Sequence, residues 1–205
     1  MREIATTFFR FYPYFLAAIF LAFFIVLGIH PHDRVDWIAE DTPILIVFAL
    51  FIATFKKFRF SNTAYTLMSL WMFLHTVGGY YTFANVPFDF ITDLFDFQRN
   101  NFDRLAHFSI GLYAYAAAEL LTRKKWATPL LATIFGLFFI LSVASLYEIF
   151  EWIYAVNMNP EAGLEFLGSQ GDIWDAQKDM LSDAIGAVVS LVIFWMKRRD
   201  LQKRD

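Results

Sequence analysis

Residues 129–156 read PLLATIFGLFFILSVASLYEIFEWIYAV. Nothing charged interrupts this stretch before Glu148. At about 1.5 Å of rise per residue, an apolar helix of this length crosses the roughly 30 Å hydrocarbon core of a bilayer. Five further apolar runs surround it: Phe11 to Ile29, Pro43 to Phe55, about Thr63 to Phe83, Leu105 to Leu121 and Met180 to Met196. The first ends Val-Leu-Gly-Ile-His, without the small residues of a cleavage site, so it reads as a retained span rather than a signal peptide. The second is short. Asp41 or Thr42 is expected to cap it, with Pro43 at the first helical position and Trp37 and Ile38 extending the buried length.

Composition agrees. Of 205 residues, 58% are hydrophobic and 18% charged, and 26 Phe, 6 Trp and 9 Tyr make it strongly aromatic; soluble domains carry about 45–50% apolar and about 25% charged residues. A soluble enzyme and a disordered chain are excluded. The net charge of −3, with no basic domain, excludes a nucleic-acid binder. Without cysteine there is no disulfide, thiolate metal site or cysteine nucleophile.

The charges fix the number of spans. Thirteen of the seventeen basic residues lie on alternate connections: Arg2, Arg10, Lys56, Lys57, Arg59, Arg123, Lys124, Lys125, Lys197, Arg198, Arg199, Lys203 and Arg204. The other connections hold only Arg34, Arg99, Arg104 and Lys178, together with sixteen of the twenty acids. Positive residues mark the cytoplasmic side. The expectation is an all-α, single-domain bundle of six transmembrane helices with both termini in the cytoplasm. Omitting the short second span would put Lys56, Lys57 and Arg59 outside. Between spans three and four, residues 87–98 alternate apolar and acidic faces at helical spacing, as in a helix lying in the interface or a lid over an outward cavity.

Ionisable residues inside membrane segments are expensive and mark candidate sites. Here they collect at one depth, in the outer halves of spans three to six: His75; Asp103 and His107; Glu148 and Glu151; Asp179 and Asp183, with Asp172 and Asp175 just ahead. Asp103/His107 at i, i+4 and Glu148/Glu151 at i, i+3 each share a helix face. Asp172, Asp179 and Asp183 share one as well if a single helix carries all three, with Asp175 at its edge. Clustered carboxylates repel, and desolvation raises the cost, so protons, the outer arginines or a bound cation must neutralise them. Carboxylates with imidazole suit Zn²⁺, Mn²⁺ or Fe²⁺, and carboxylates with water suit Mg²⁺ or Ca²⁺.

Plainer roles stand beside these. Asp172 can cap the last helix, and Arg104 can pair with Glu148 or Glu151. His75 can bond a neighbouring backbone where Gly78 and Gly79 let helices approach. His30 and His32 read as solvated, and Glu119 reads as a partner of Arg123 four residues on.

Three blocks carry a resemblance: His75-Thr-Val-Gly-Gly-Tyr-Tyr-Thr-Phe-Ala-Asn-Val-Pro, Arg99-Asn-Asn-Phe-Asp-Arg-Leu-Ala-His107-Phe, and Tyr147-Glu-Ile-Phe-Glu-Trp followed by residues 166–180. With these, nearly the whole chain resembles the YjdF-like bacterial inner membrane proteins, a family without an established activity. The resemblance implies a multi-pass protein of the bacterial inner membrane. A looser likeness, over about half the chain, is to VanZ-like proteins linked to glycopeptide resistance. Their Asp-x-x-x-His, Glu-rich and Asp-x-x-x-(Asn/Asp)-x-x-Gly elements look like Asp103/His107, Glu148/Glu151 and Asp179/Asp183/Gly186, although position 183 is Asp where Asn is usual.

The leading expectation is a metal-assisted enzyme acting on a lipid or envelope precursor. Asp103, His107, Glu148, Glu151, Asp172, Asp179 and Asp183 are its candidate cation ligands, and His75, Glu148 and Glu151 its candidate catalytic groups. A metal-activated water would be the nucleophile, and Arg99, Arg104 and Asp175 would meet the substrate. The alternatives are a non-catalytic binder of an envelope component or antibiotic, as the VanZ-like resemblance implies, and a cation- or proton-coupled transporter.

Overall fold

The computed structural model describes residues 2–201, with side chains from Phe11 onward. Lys203 and Arg204, and the side chains of Arg2 and Arg10, lie outside the described residues. Helices α1 (Arg2–Leu27), α2 (Arg34–Thr54), α3 (Asn62–Tyr81), α4 (Asp89–Leu94), α5 (Phe102–Gly111), α6 (Tyr113–Arg123), α7 (Pro129–Val156), α8 (Pro160–Leu167) and α9 (Asp175–Leu201) follow in order, with a 3₁₀ turn at Phe83–Asn85. No strand occurs among the described residues. Three helices, α2, α7 and α9, are long and apolar enough to cross a membrane, and the Phe11–Leu27 part of α1 is a shorter apolar segment.

Capping explains several boundaries. The Ser61 side chain accepts from Ala64 N–H and starts α3, and Thr128 accepts from Leu131 N–H ahead of Pro129 to start α7. The start of α2 corrects the sequence reading. Asp33, not Asp41 or Thr42, caps it, accepting from the Val35 and Asp36 amides at 2.6 and 2.9 Å. Pro43 lies inside the helix. Arg34 donates to the carbonyls of Gly28 and Ile29, closing the end of α1 and fixing the turn. The nine residues thus added at the start of α2 carry Asp36, Glu40 and Asp41, all buried.

The fourth expected span is two helices. Leu112 separates α5 from α6, its amide bonding to Ser109 three residues back. The expected helix over 87–98 is shorter, α4, with Phe90, Leu94 and Phe95 exposed on and beside it. The segment α8, for which the sequence analysis had no expectation, is capped by Asn159 and ends at Gly168 in the left-handed region, φ 60°, where glycine carries no Cβ penalty.

Helix α9 packs on α5, α6 and α7, while α3 joins this group to α1 and α2. Small residues allow the closest approach, as is usual between membrane helices. A Cβ on Gly111 would collide with the Asp183 carbonyl, and one on Gly186 with the Phe108 carbonyl. Ala64, Ala114, Ala118, Ala132 and Ala187 fill one core with Tyr115 and Phe194; Phe20, Phe24, Ile44, Trp71 and Met72 form another. Outside, α1, α2, α7 and α9 expose Ile25, Ile52, Leu146 and Val192 among many large apolar side chains. A soluble monomer would not leave so much apolar surface bare.

Candidate functional site

The ionisable residues expected at one depth do meet at one end of the bundle, in two tiers. In the outer tier the arginines act as counter-ions. Arg99 bonds Asp103 and Asp175 and reaches the Ser169 carbonyl at 3.1 Å. Arg104 donates to Asp172 at 2.8 Å and Asp175 at 3.3 Å, with Asp179 at 3.7 Å. Its partners are therefore on α9 and the turn before it, not Glu148 or Glu151 as the sequence suggested. Both Asp103 oxygens are engaged, one by Arg99 and one by the Arg104 amide at 2.7 Å.

Asp172 requires a second correction. It precedes α9 rather than riding on its stripe, because Gly171 at φ 85° turns the chain there. It accepts from the Trp174 amide at 3.1 Å and from Lys178 at 2.6 Å. The Lys178 ammonium and that amide hold its carboxyl well below the usual carboxylate range. Asp175, at the start of α9, takes the place expected of Asp172 in the ladder with Asp179 and Asp183.

The inner tier has fewer cations. His107 Nδ1 lies 3.1 Å from Asp183 Oδ2, and its Nε2 lies 3.9 Å from Glu148 Oε1. The close crossing of α5 and α9 at Gly111 and Gly186 brings His107 and Asp183 together. Glu148 Oε1, Asp179 Oδ1 and Asp183 Oδ1 are buried without a hydrogen-bond partner. Such atoms cost free energy unless something else contacts them. One ligand atom each from His107, Glu148 and Asp179 lies within 4.8 Å of the others, as does one each from Asp103, Asp175 and Asp179. That is the outer limit for donors sharing one cation through bonds of about 2.0–2.4 Å. The second group already surrounds guanidinium, which leaves the first as the better fit.

Beside it, His75 Nε2 lies 3.1 Å from the Glu40 carbonyl and 3.3 Å from the Glu40 carboxylate. The Tyr147 hydroxyl donates to Glu40 at 2.6 Å. Asp41, fully buried, has no hydrogen-bond partner on either oxygen. Gly79 makes room for it, since a Cβ there would come within 2.9 Å of its carboxylate. Sequence reasoning missed Glu40, Asp41 and Tyr147. A cavity of about 160 Å³ has His75, Asp103, His107, Tyr147, Glu151, Asp179 and Asp183 on its walls, while Glu40, Asp41 and Glu148 stand behind that lining. It is smaller than the roughly 300–1,000 Å³ that encloses a drug-sized ligand, and its volume has room for an ion, waters or one polar end of a larger molecule.

Two expectations for residues elsewhere hold. His32 is exposed, its side chain 3.8 Å from Glu165, and His30 is exposed as well. Glu119 accepts from Arg123 at 2.8 Å.

The chain matches the family model described as "Predicted membrane protein (DUF2238)" over residues 12–200. It is 36% identical over 171 residues to inner membrane protein YjdF of Escherichia coli (strain K12), covering 82% of this chain and 81% of that protein. No solved structure matches. The relative's location agrees with the bacterial inner membrane that the resemblance implied, and the exposed apolar helices agree with both. With nearly its full length matched, the chain belongs to the DUF2238 family of membrane proteins.

Proposed function

We propose that the chain spans the membrane six times with both termini cytoplasmic, and that its outward acidic cavity binds a divalent cation and processes a lipid or envelope precursor. The alternation of basic and acidic connections supports the topology, with α5 and α6 together forming the fourth span. The observation that carries the cation reading is the trio His107, Glu148 and Asp179, whose carboxylate oxygens Glu148 Oε1 and Asp179 Oδ1 lack hydrogen-bond partners. An imidazole with two carboxylates favours Zn²⁺ or Mn²⁺ over Mg²⁺ or Ca²⁺.

In this reading Asp183 accepts from His107 Nδ1–H and so turns Nε2 towards the cavity. When bound, the cation would polarise a phosphoryl or acyl oxygen and acidify water. Glu151, on the cavity wall, is placed to take a proton, and His75, paired with Glu40, to hold one. Arg104, the more exposed of the two arginines, would meet an anionic head group. Transport is disfavoured because Glu119, the sole candidate relay towards the cytoplasm, is held by Ser61 and Arg123.

The test is the metal content of the detergent-purified protein, by mass spectrometry, beside His107→Ala and Asp179→Ala. Close to one divalent cation per chain, lost in both variants, is expected. A wild-type protein that takes up no metal on reloading would end the reading and favour a non-catalytic binder.

A further inference from the structure

Helices α2 and α7 border the site and are joined there by the Tyr147–Glu40 hydrogen bond; among the described residues α2 packs mainly on α3 and α1, and α7 on α6, α9 and α8. Between them runs a groove of about 420 Å³, walled by Thr42, Pro43 and Ile46 on one side and Val143, Leu146 and Phe150 on the other. Its lining is apolar. Even Thr42 turns its hydroxyl back onto the Ile38 carbonyl at 2.5 Å. Ile46 and Leu146 are 56% and 67% exposed, so the groove opens on the surface that faces the bilayer. Pro43, Val143 and Tyr147 line both this groove and the acidic cavity. The partition between hydrocarbon and carboxylates is therefore one side chain thick, and the Tyr147–Glu40 hydrogen bond closes it.

We infer that this groove seats the hydrocarbon chain of a membrane lipid, whose polar end enters the cavity past Tyr147. The inference rests on the proposed lipid chemistry and supplies its route: substrate arrives sideways from the bilayer rather than from water. An apolar slot continuous with a polar pocket matches a molecule with an apolar tail and a polar head, and the cavity alone is too small for the whole of it. A larger groove of about 560 Å³ between α1, α2 and α3, near Lys56, shares no lining residue with the cavity and serves as the internal comparison.

The experiment reconstitutes the full chain in vesicles of phosphatidylethanolamine and phosphatidylglycerol, doped with phosphatidylethanolamine carrying a diazirine on its acyl chain. Photo-adducts are then mapped by mass spectrometry. Adducts should be enriched severalfold on residues 42–46 and 143–150 over the equally exposed faces of α1 and α9. Thr42→Trp or Leu146→Trp, each filling the groove from one wall, should abolish that enrichment without changing metal content. Tyr147→Phe, which keeps the ring and removes the hydroxyl, should shift adducts inward to Val47 and Ile110. Adducts spread evenly over all exposed helices in the wild type would overturn the inference, as would enrichment unaffected by both tryptophans. Enrichment without metal would sink the enzyme reading and leave the groove standing; metal without enrichment would do the reverse.

Discussion

At one end of the bundle, Glu119 is wholly buried and wholly satisfied. It accepts from the Ser61 amide at 2.7 Å, the Ser61 hydroxyl at 2.6 Å and Arg123 at 2.8 Å. At the other end, Glu148, Asp179, Asp183 and Asp41 are also withdrawn from water, yet each leaves at least one oxygen without a hydrogen bond. Glu119 links the start of α3 to α6, and both of its oxygens are taken by protein donors. The carboxylates at the other end keep buried oxygens that accept no hydrogen bond. Burial alone did not distinguish the two regions; the account of partners did.

Breaking the satisfied region should have the largest effect. Glu119→Ala removes the buried acceptor of both Ser61 donors and of Arg123, and should cost about 3–5 kcal/mol of stability, read by thermal unfolding in detergent. Unchanged melting would mean that the network is incidental. Next, Gly186→Leu drives a side chain into the Phe108 carbonyl; the overpacking should cost about 1–3 kcal/mol, and metal retention should fall as Asp183 leaves His107. The third prediction has the opposite sign. Glu148→Gln relieves like-charge crowding, so the metal-free protein should be as stable as wild type or gain about 0.5–2 kcal/mol, as destabilised functional sites do. Marked destabilisation would place Glu148 with Glu119. The smallest effect falls at the outer rim. Asp172 has a depressed folded-state pKa, so its contribution is present above the unfolded value of about 3.9 and is lost as the pH falls through the lower folded one. Asp172→Asn should lower the melting temperature slightly at neutral pH and make no difference in strong acid.

Where a signal was local and periodic, the sequence was readable. α3 and α7 lie where apolar length placed them, and Asp103/His107 and Glu148/Glu151 share faces as their spacing required. The start of α2 was not readable in the same way, because Asp41-Thr-Pro43 looks like a cap and first turn. Asp33 competes for that role with two amides and Arg34 in support, and this tertiary choice carried Glu40 and Asp41 into the site unannounced. Asp33 followed by Asp36 was the available clue. Asn159-Pro160 with Gly168 marked α8 in the same way. Nothing local marks the break at Leu112 except Gly111, whose meaning depends on α9 lying against it. The arginine partners on and before α9 were the least legible, because counter-ions 68 to 76 residues apart leave no spacing to read.

That separation bears on how the protein is made. Arg99 finds Asp175 only after 76 further residues have been added. At synthesis rates of about 5–20 residues per second, roughly 4–15 s pass first. Throughout that interval the nascent α5 carries Asp103 and His107 with none of its α9 partners, and hydrocarbon offers no water in their place. If the chain spans the membrane six times as proposed, α5 would complete its insertion together with α9, and the carboxylate cavity would be the last part of the molecule to come into being.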